Sequence, residues 1–358
     1  MSPGLPEELA LPPFRQRAPW WGGDLQTLRD TLRDSRLPDP QATPLQFPLP
    51  DGGALLGRLD LPATVSPSAL VVLTHGLGGS SEAAGPRRLA ETLRQEGLAV
   101  LRLNLRGAGE GRALASGSYA ADCSADLLPV LRQVRRLSAE LGSLGTPLPT
   151  LGAGISLGGT VLLNACIEAQ RLGEAGLDAL VCTSSPLDLP ACSRQFERPR
   201  NGIYQRWLVE RLLRQVQKDP WLLNSREQER LRDQARPRSI RQFDAAITAP
   251  RWGHASVDHY YEAASPLRRL KPDVRLPPTL LIQALDDPWV PAEPLRRLEV
   301  RLRREPGSLP SGLRLHLERH GGHNGFHAIG DTPRGCWSDR LTARWLLHQL
   351  TSGPEGSG

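Results

Sequence analysis

The chain has 358 residues, 39% of them hydrophobic and 23% charged, a profile of a soluble globular protein with material for one large core or a core plus an inserted subdomain. Gly and Pro together number 68, about 19% of the chain, which is too few for a disordered low-complexity sequence. The net charge of +6 raises nucleic-acid binding as a possibility, but Lys218 and Lys271 are the two lysines, so 42 of the 44 basic residues are Arg. These are scattered among acids rather than gathered into a phosphate-binding stripe, and no nucleic-acid partner is expected.

Residues 1–42 are rich in Pro and read as an irregular segment packed on the core, with one aromatic pair at Trp20-Trp21. Two short strand-like runs, Leu45–Leu49 and Leu55–Leu61, flank Pro50-Asp51-Gly52-Gly53 and predict a β-hairpin. Ala69–Thr74 is a continuous apolar run ending at His75-Gly76, the pattern of a parallel strand buried on both faces. A helix with Leu89 and Leu93 on one side follows, stopped at Gly97, and the strand Ala99–Leu105 runs into Arg106-Gly107. The alternation continues with a helix near 120–141, a strand near 149–155, a helix near 157–171 and a strand near 178–184. After Pro186 the rhythm breaks, and 187–270 reads as a helical insertion. It resumes with a strand at 278–284, a helix at 292–304, a strand at 313–318 and a helix at 336–350, before a polar tail over 351–358 expected to be disordered. Strands alternating with helices mean a mostly parallel sheet. The expected architecture is α/β, with core pieces at 43–186 and 271–350 and a helical cap between them.

The run Gly154-Ile155-Ser156-Leu157-Gly158 sits between a strand candidate and a helix candidate. That is the setting of a nucleophile elbow, where a sharp turn leaves no room for side chains at Gly154 and Gly158 and lifts a serine above the sheet. A dinucleotide or P-loop reading fails, because Leu157 stands where the third glycine belongs and no Lys follows. Serine is a weak nucleophile without a base, and the base needs an orienting acid. In α/β hydrolases these follow in the order Ser, acid, His. Asp286-Asp287 follows one late strand, and His320-Gly321-Gly322-His323 follows the last. Asp287 is favoured over Asp286 by the pattern Asp-x-x-Val-Pro, and His323 by the two glycines before it. The developing oxyanion needs two donors: the backbone N–H of Leu157, and that of Leu77 in His75-Gly76-Leu77-Gly78-Gly79. His75 reads as a support for that loop. His320, His323 and His327 would suit zinc on a helix, but Gly321, Gly322 and Gly325 argue against a helix there, and no metal or cofactor is expected.

Five cysteines without paired spacing and an N-terminus lacking basic and apolar signal regions suggest a reducing compartment, the cytoplasm. No stretch approaches the roughly 18 apolar residues of a membrane-spanning helix.

Several motifs in the same order resemble the YheT/EMB8 family of α/β hydrolases, relatives of the α/β-hydrolase-domain proteins. They are Trp20-Trp21-Gly22-Gly23-Asp24-Leu25-Gln26-Thr27, where Asp24 stands in place of the usual His, and Asn104-Leu105-Arg106-Gly107. They continue through Phe243-Asp244, Thr248-Ala249-Pro250, Trp252-Gly253 and Asp258-His259-Tyr260-Tyr261 to the late aspartate and histidine motifs. The resemblance implies esterase-type hydrolysis of carboxylic esters, short-chain or lipid-derived, by Ser156, Asp287 and His323. Eukaryotic relatives commonly carry an N-terminal membrane anchor; none is expected here. A lipase, thioesterase or acyltransferase would use the same three residues, and a non-catalytic binding protein on this fold is the rival of another class.

Overall fold

Five- and six-residue apolar runs are too short to satisfy themselves as helices, and in the computed structural model they become the inner strands of one sheet. The structure describes residues 9, 11–32, 37, 41–63, 65–143, 145–233, 237–332 and 334–352. Eight strands, β1 (Thr43–Pro48), β2 (Ala54–Asp60), β3 (Leu70–Thr74), β4 (Ala99–Leu103), β5 (Thr150–Ile155), β6 (Ala179–Thr183), β7 (Thr279–Ala284) and β8 (Leu313–Glu318), lie in the order β1-β2-β4-β3-β5-β6-β7-β8. β1 and β2 form the expected antiparallel hairpin, and β2 is antiparallel to β4; every other pairing is parallel.

Because side chains alternate across a strand, Leu70 and Val72 point into one apolar layer while Val71 and Leu73 point into the other. The first layer is completed by α3 (Ser124–Leu141) and α4 (Leu157–Leu172), through residues such as Leu127, Val130 and Leu162. The second is completed by α2 (Ala84–Gln95) and α12 (Trp337–Thr351), through Leu89, Leu93, Leu341 and Trp345. α11 (Glu293–Arg304) fills the last crossover. Residues 353–358 of the expected disordered tail lie outside the described residues, and Thr351 ends α12.

One expectation is corrected at the N-terminus: the stretch 1–42 contains a helix, α1 (Gly22–Leu32). The flanking prolines hide it in the sequence, but none falls within these eleven residues. Asp24 in the first turn and Arg29 in the last suit the helix dipole. Tertiary contacts hold it in place. Buried Arg88 of α2 pairs with Asp30 of α1 and, at 2.6 Å, with Asp339 of α12.

Between β6 and β7 the described residues hold helices only: α5 (Leu189–Phe196), α6 (Gly202–Gln217), α7 (Ser225–Asp233), α8 (Ile240–Phe243), α9 (Ala249–Arg251) and α10 (Val257–Ala264), with a π-helical turn at Asp244–Thr248. They carry an apolar cluster of their own, including Phe196, Leu208, Leu212, Val216, Ile240, Phe243 and Ile247. Leu77 and Trp289 of the sheet domain pack against it. Among the described residues no helix is long and apolar enough to cross a membrane.

Candidate active site

β5 ends at Ile155 and α4 begins at Leu157, so one residue must turn the chain. Ser156 does so with φ 54° and ψ −127°, a conformation costly for any residue with a Cβ and found where the surroundings over-determine it. Three contacts impose it. The Ser156 N–H donates to Thr183 O of β6 at 2.8 Å. A Cβ on Gly154 would collide with the backbone of Gly159, and one on Gly158 would lie 2.5 Å from Thr74 O. Both glycines of the pentapeptide are thus sterically required.

Ser156 Oγ lies 2.9 Å from Nε2 of His323, and Nδ1 of His323 lies 2.9 Å from Oδ2 of Asp287. An ionised carboxylate offers only acceptors, so the proton of the imidazole sits on Nδ1, and Nε2 accepts from the serine hydroxyl. The Asp287 carboxylate is fully buried. It is oriented by three further donors: the Trp289 and Val290 N–H groups at 2.8 and 2.9 Å on Oδ1, and Gln283 Nε2 at 3.0 Å on Oδ2. Asp286 faces elsewhere. Its Oδ1 accepts the Gly322 N–H at 2.9 Å and its Oδ2 pairs with His320 at 3.1 Å, so it braces the histidine loop while Asp287 meets the histidine.

The loop bearing Leu77 runs against the serine; a Cβ on Gly76 would lie 2.9 Å from Ser156 Cβ. Tyr119, buried beside it, accepts the Gly78 N–H at 2.7 Å and donates to Gly76 O at 3.4 Å. One hydroxyl therefore grips both neighbours of Leu77, and burial pushes the Tyr119 phenol up, which keeps it neutral and able to donate. His75 supports the same loop: its Nδ1 donates to Gly76 O at 2.9 Å and its Nε2 accepts the Leu105 N–H at 3.2 Å. Burial lowers its pKa to about 4, so the neutral form that makes both bonds persists. Leu157 opens α4, and a first helical N–H has no intrahelical acceptor.

Residues that sequence reading did not assign to the site come from α1. Thr27 Oγ1 accepts the backbone N–H of His323 at 2.8 Å. Gln26, buried, donates to His327 O at 3.0 Å and accepts the His327 N–H at 2.7 Å. Gly23 lies so close to Asp286 O that a Cβ would collide with it. The tryptophan-glycine-glutamine-threonine motif is thus a clamp on the histidine loop. Its signal was visible, but its target lies some 300 positions away. Asp24 accepts from Arg200 at 2.9 Å and Tyr204 at 3.0 Å, linking α1 to the cap.

Trp289 covers His323, with ring centroids 4.4 Å apart. Ser156, Leu157, Leu77, Trp289 and His323 open on a cavity of about 1040 Å³, counting the space continuous with solvent at its mouth. Its far wall is apolar cap surface: Phe196, Leu208, Leu212, Val216, Ile240 and Phe243. Two acids of the cap, Asp219 and Asp244, also line the cavity. Asp244 accepts from Thr248 Oγ1 at 2.7 Å and Tyr261 OH at 2.8 Å, and burial raises its pKa to about 6.

The remaining histidines have other partners: His254 with Asp122 at 2.9 Å, and His316 with Glu318 at 3.0 Å. Among the described residues no group of three His, Cys, Asp or Glu is placed to hold a metal ion.

A family model described as serine aminopeptidase, S33, matches residues 65–310. The chain is 31% identical over 306 residues to the Escherichia coli (strain K12) protein named "Putative esterase YheT", covering 84% of each. It is 30% identical over 291 residues to the phospholipase ABHD3 of Mus musculus, covering 80% of this chain and 65% of that one, so it spans a little under two thirds of that relative. Among solved structures, an esterase of Pyrobaculum calidifontis superposes with a TM-score of 0.55 at 18% identity over 92% of this chain and 91% of that one, a likeness of fold. The chain belongs to the YheT/EMB8 family of α/β hydrolases and is a hydrolase of that family.

Proposed function

We propose that the protein cleaves carboxylic esters, small-molecule or lipid-derived, through a covalent acyl intermediate on Ser156. The observation that carries this reading is the unbroken chain of 2.9 Å contacts from Ser156 Oγ through His323 to Asp287, on an elbow whose two glycines admit no Cβ. His323 Nε2 takes the Ser156 proton as Oγ attacks the ester carbonyl. The carbonyl oxygen becomes an oxyanion held by the N–H groups of Leu157 and Leu77, a contribution on the order of 10²–10³ in rate per donor. His323 then delivers the proton to the departing alkoxide. Water, deprotonated by the same imidazole, attacks the acyl-serine; the acid leaves and Ser156 regains its proton. Asp287 holds the tautomer and stabilises the imidazolium between the two transfers.

The apolar cap wall supports a substrate with a hydrocarbon portion, as does a relative named a phospholipase. Five cysteines, all free and buried, support a reducing compartment, the cytoplasm. Ser156→Ala should reduce hydrolysis of p-nitrophenyl esters by at least about 10⁴-fold while leaving the circular dichroism spectrum in place. A fluorophosphonate probe should mark Ser156 in the parent chain. Most of the activity surviving in the variant, or a label on another residue, would show the nucleophile to be elsewhere.

A further inference from the structure

Helix α6 is apolar on two sides. Leu208, Leu212 and Val216 are buried and line the cavity, whereas Ile203 is 83% exposed and Trp207 39% exposed, one helical turn apart. The outer pair stands near the reactive groups: the Trp207 ring is 6.3 Å from that of Trp289, which covers His323. The N-terminal end of α6 also receives α1, because Arg200 and Tyr204 both donate to Asp24. That contact brings exposed Trp21 and Leu25 to the same end of the molecule.

The charge around this surface is mainly basic, although Arg200 pairs with Asp24 and Arg214 with Glu210. From Leu189 to Gln217 the sequence holds six arginines against two glutamates, Glu197 and Glu210, and the Arg211 guanidinium lies over the Trp207 ring at 5.3 Å. Exposed Trp and aliphatic side chains edged by Arg are the composition of surfaces that seat in the headgroup region of a bilayer. Anionic lipids are the ones that such a surface attracts. A second copy of the chain fits poorly, since a two-fold contact would set one arginine-rich helix against its equal.

We propose that the outer side of α6, with the neighbouring end of α1, docks on an anionic lipid surface. Ile203 and Trp207 enter the interface, the arginines meet lipid phosphates, and the cavity is held beside the bilayer that supplies its substrate. Docking itself requires no turnover, so it is tested apart from the hydrolytic reading. The full-length Ser156→Ala chain would be floated with vesicles of phosphatidylcholine, with and without phosphatidylglycerol, at low and high salt. Binding should require phosphatidylglycerol and weaken as salt screens the arginines. Ile203→Ser and Trp207→Ser, introduced separately, should each weaken it by about tenfold. In the catalytically intact chain, Ile203→Ser should leave hydrolysis of soluble p-nitrophenyl acetate as it was and slow that of an ester carried in the vesicles. Failure to bind, equal binding to pure phosphatidylcholine, or variants that float like the parent would overturn the proposal. So would a dimer of the parent chain that Ile203→Ser dissociates, since the face would then belong to self-association.

Discussion

Two regions meet at the cavity and are built by different means. In the sheet domain, two of the side chains that meet at the site stand on tightly packed backbone that turns through positive φ. Ser156 holds a left-handed turn between two glycines that admit no Cβ, and the His323 loop passes through positive φ at Gly322, Asn324 and Phe326. In the cap, the wall is made of side chains on helices, with one π-helical turn at Asp244–Thr248, and most of its residues touch the cavity by virtue of size and hydrophobicity. The first region places atoms to within a hydrogen bond; the second fills space. Changes in the sheet domain should therefore act on the chemical step, and changes in the cap on which substrate fits and on the stability of the wall.

The largest effect expected lies within one dipeptide. Asp287→Asn removes the carboxylate that meets His323 Nδ1 and, on the proposed mechanism, should lower kcat/KM on the order of 10⁴-fold. Asp286→Asn disturbs only the brace to His320 and Gly322 and should cost no more than about tenfold. Equal losses, read with one p-nitrophenyl ester, would erase the distinction between the two aspartates.

The cap offers the next test, through pH. Asp244 has a folded-state pKa raised by burial to about 6 from 3.8, against the lowering hydrogen bonds of Thr248 and Tyr261. A raised acid pKa means that the folded chain holds this proton more tightly than the unfolded one. The associated stability is complete below the unfolded value and is lost as pH climbs to the folded one. Asp244→Asn abolishes that dependence. Urea melts should show the variant gaining on the parent by up to roughly 3 kcal/mol between about pH 4 and 6, with no further change above. A constant difference across this range would mean that Asp244 does not titrate there.

Thr27→Val removes the acceptor of the His323 N–H and should lower kcat about tenfold with KM nearly unchanged, because the loop drifts while the cavity stays intact. Thr27→Ser restores the hydroxyl and should restore the rate. A valine variant changed only in KM or in melting temperature would reduce the α1 clamp to a structural contact. The smallest effect belongs to the cap wall. Leu212→Ala should lower kcat/KM for a long-chain ester relative to the acetyl ester by about three- to tenfold. An unchanged ratio would show that α6 does not bound the hydrocarbon portion.

Much of this was legible in local pattern. A strand buried on both faces tends to be continuously apolar, so β3 stood out, the alternation of strand and helix placed the others, and the strand–turn–helix around Ser156 pointed to the elbow. The late aspartates and His323 then fell at strand ends, where open α/β sheets gather their reactive groups. α1 did not stand out. The prolines flanking it and its paired glycines read as irregular chain, and its helix is stabilised by Arg88 and by the histidine loop rather than by its own periodicity. Tyr119 and Trp289 were also silent, since nothing in their neighbours tells which backbone amide or ring they will meet.

The sequence by itself therefore determined the order of elements, the tight turn at Ser156 and the chain order of Ser156, the late aspartates and His323, because each depends on interactions among a few adjacent residues. Tertiary structure alone decided that Asp286 braces the histidine loop, that Gln26 and Thr27 hold it, and that α6 turns one apolar side to the cavity and leaves another in the open. Those outcomes rest on contacts between residues as far as 301 positions apart, and which distant groups meet is settled only when the packed layers bring them within a hydrogen bond.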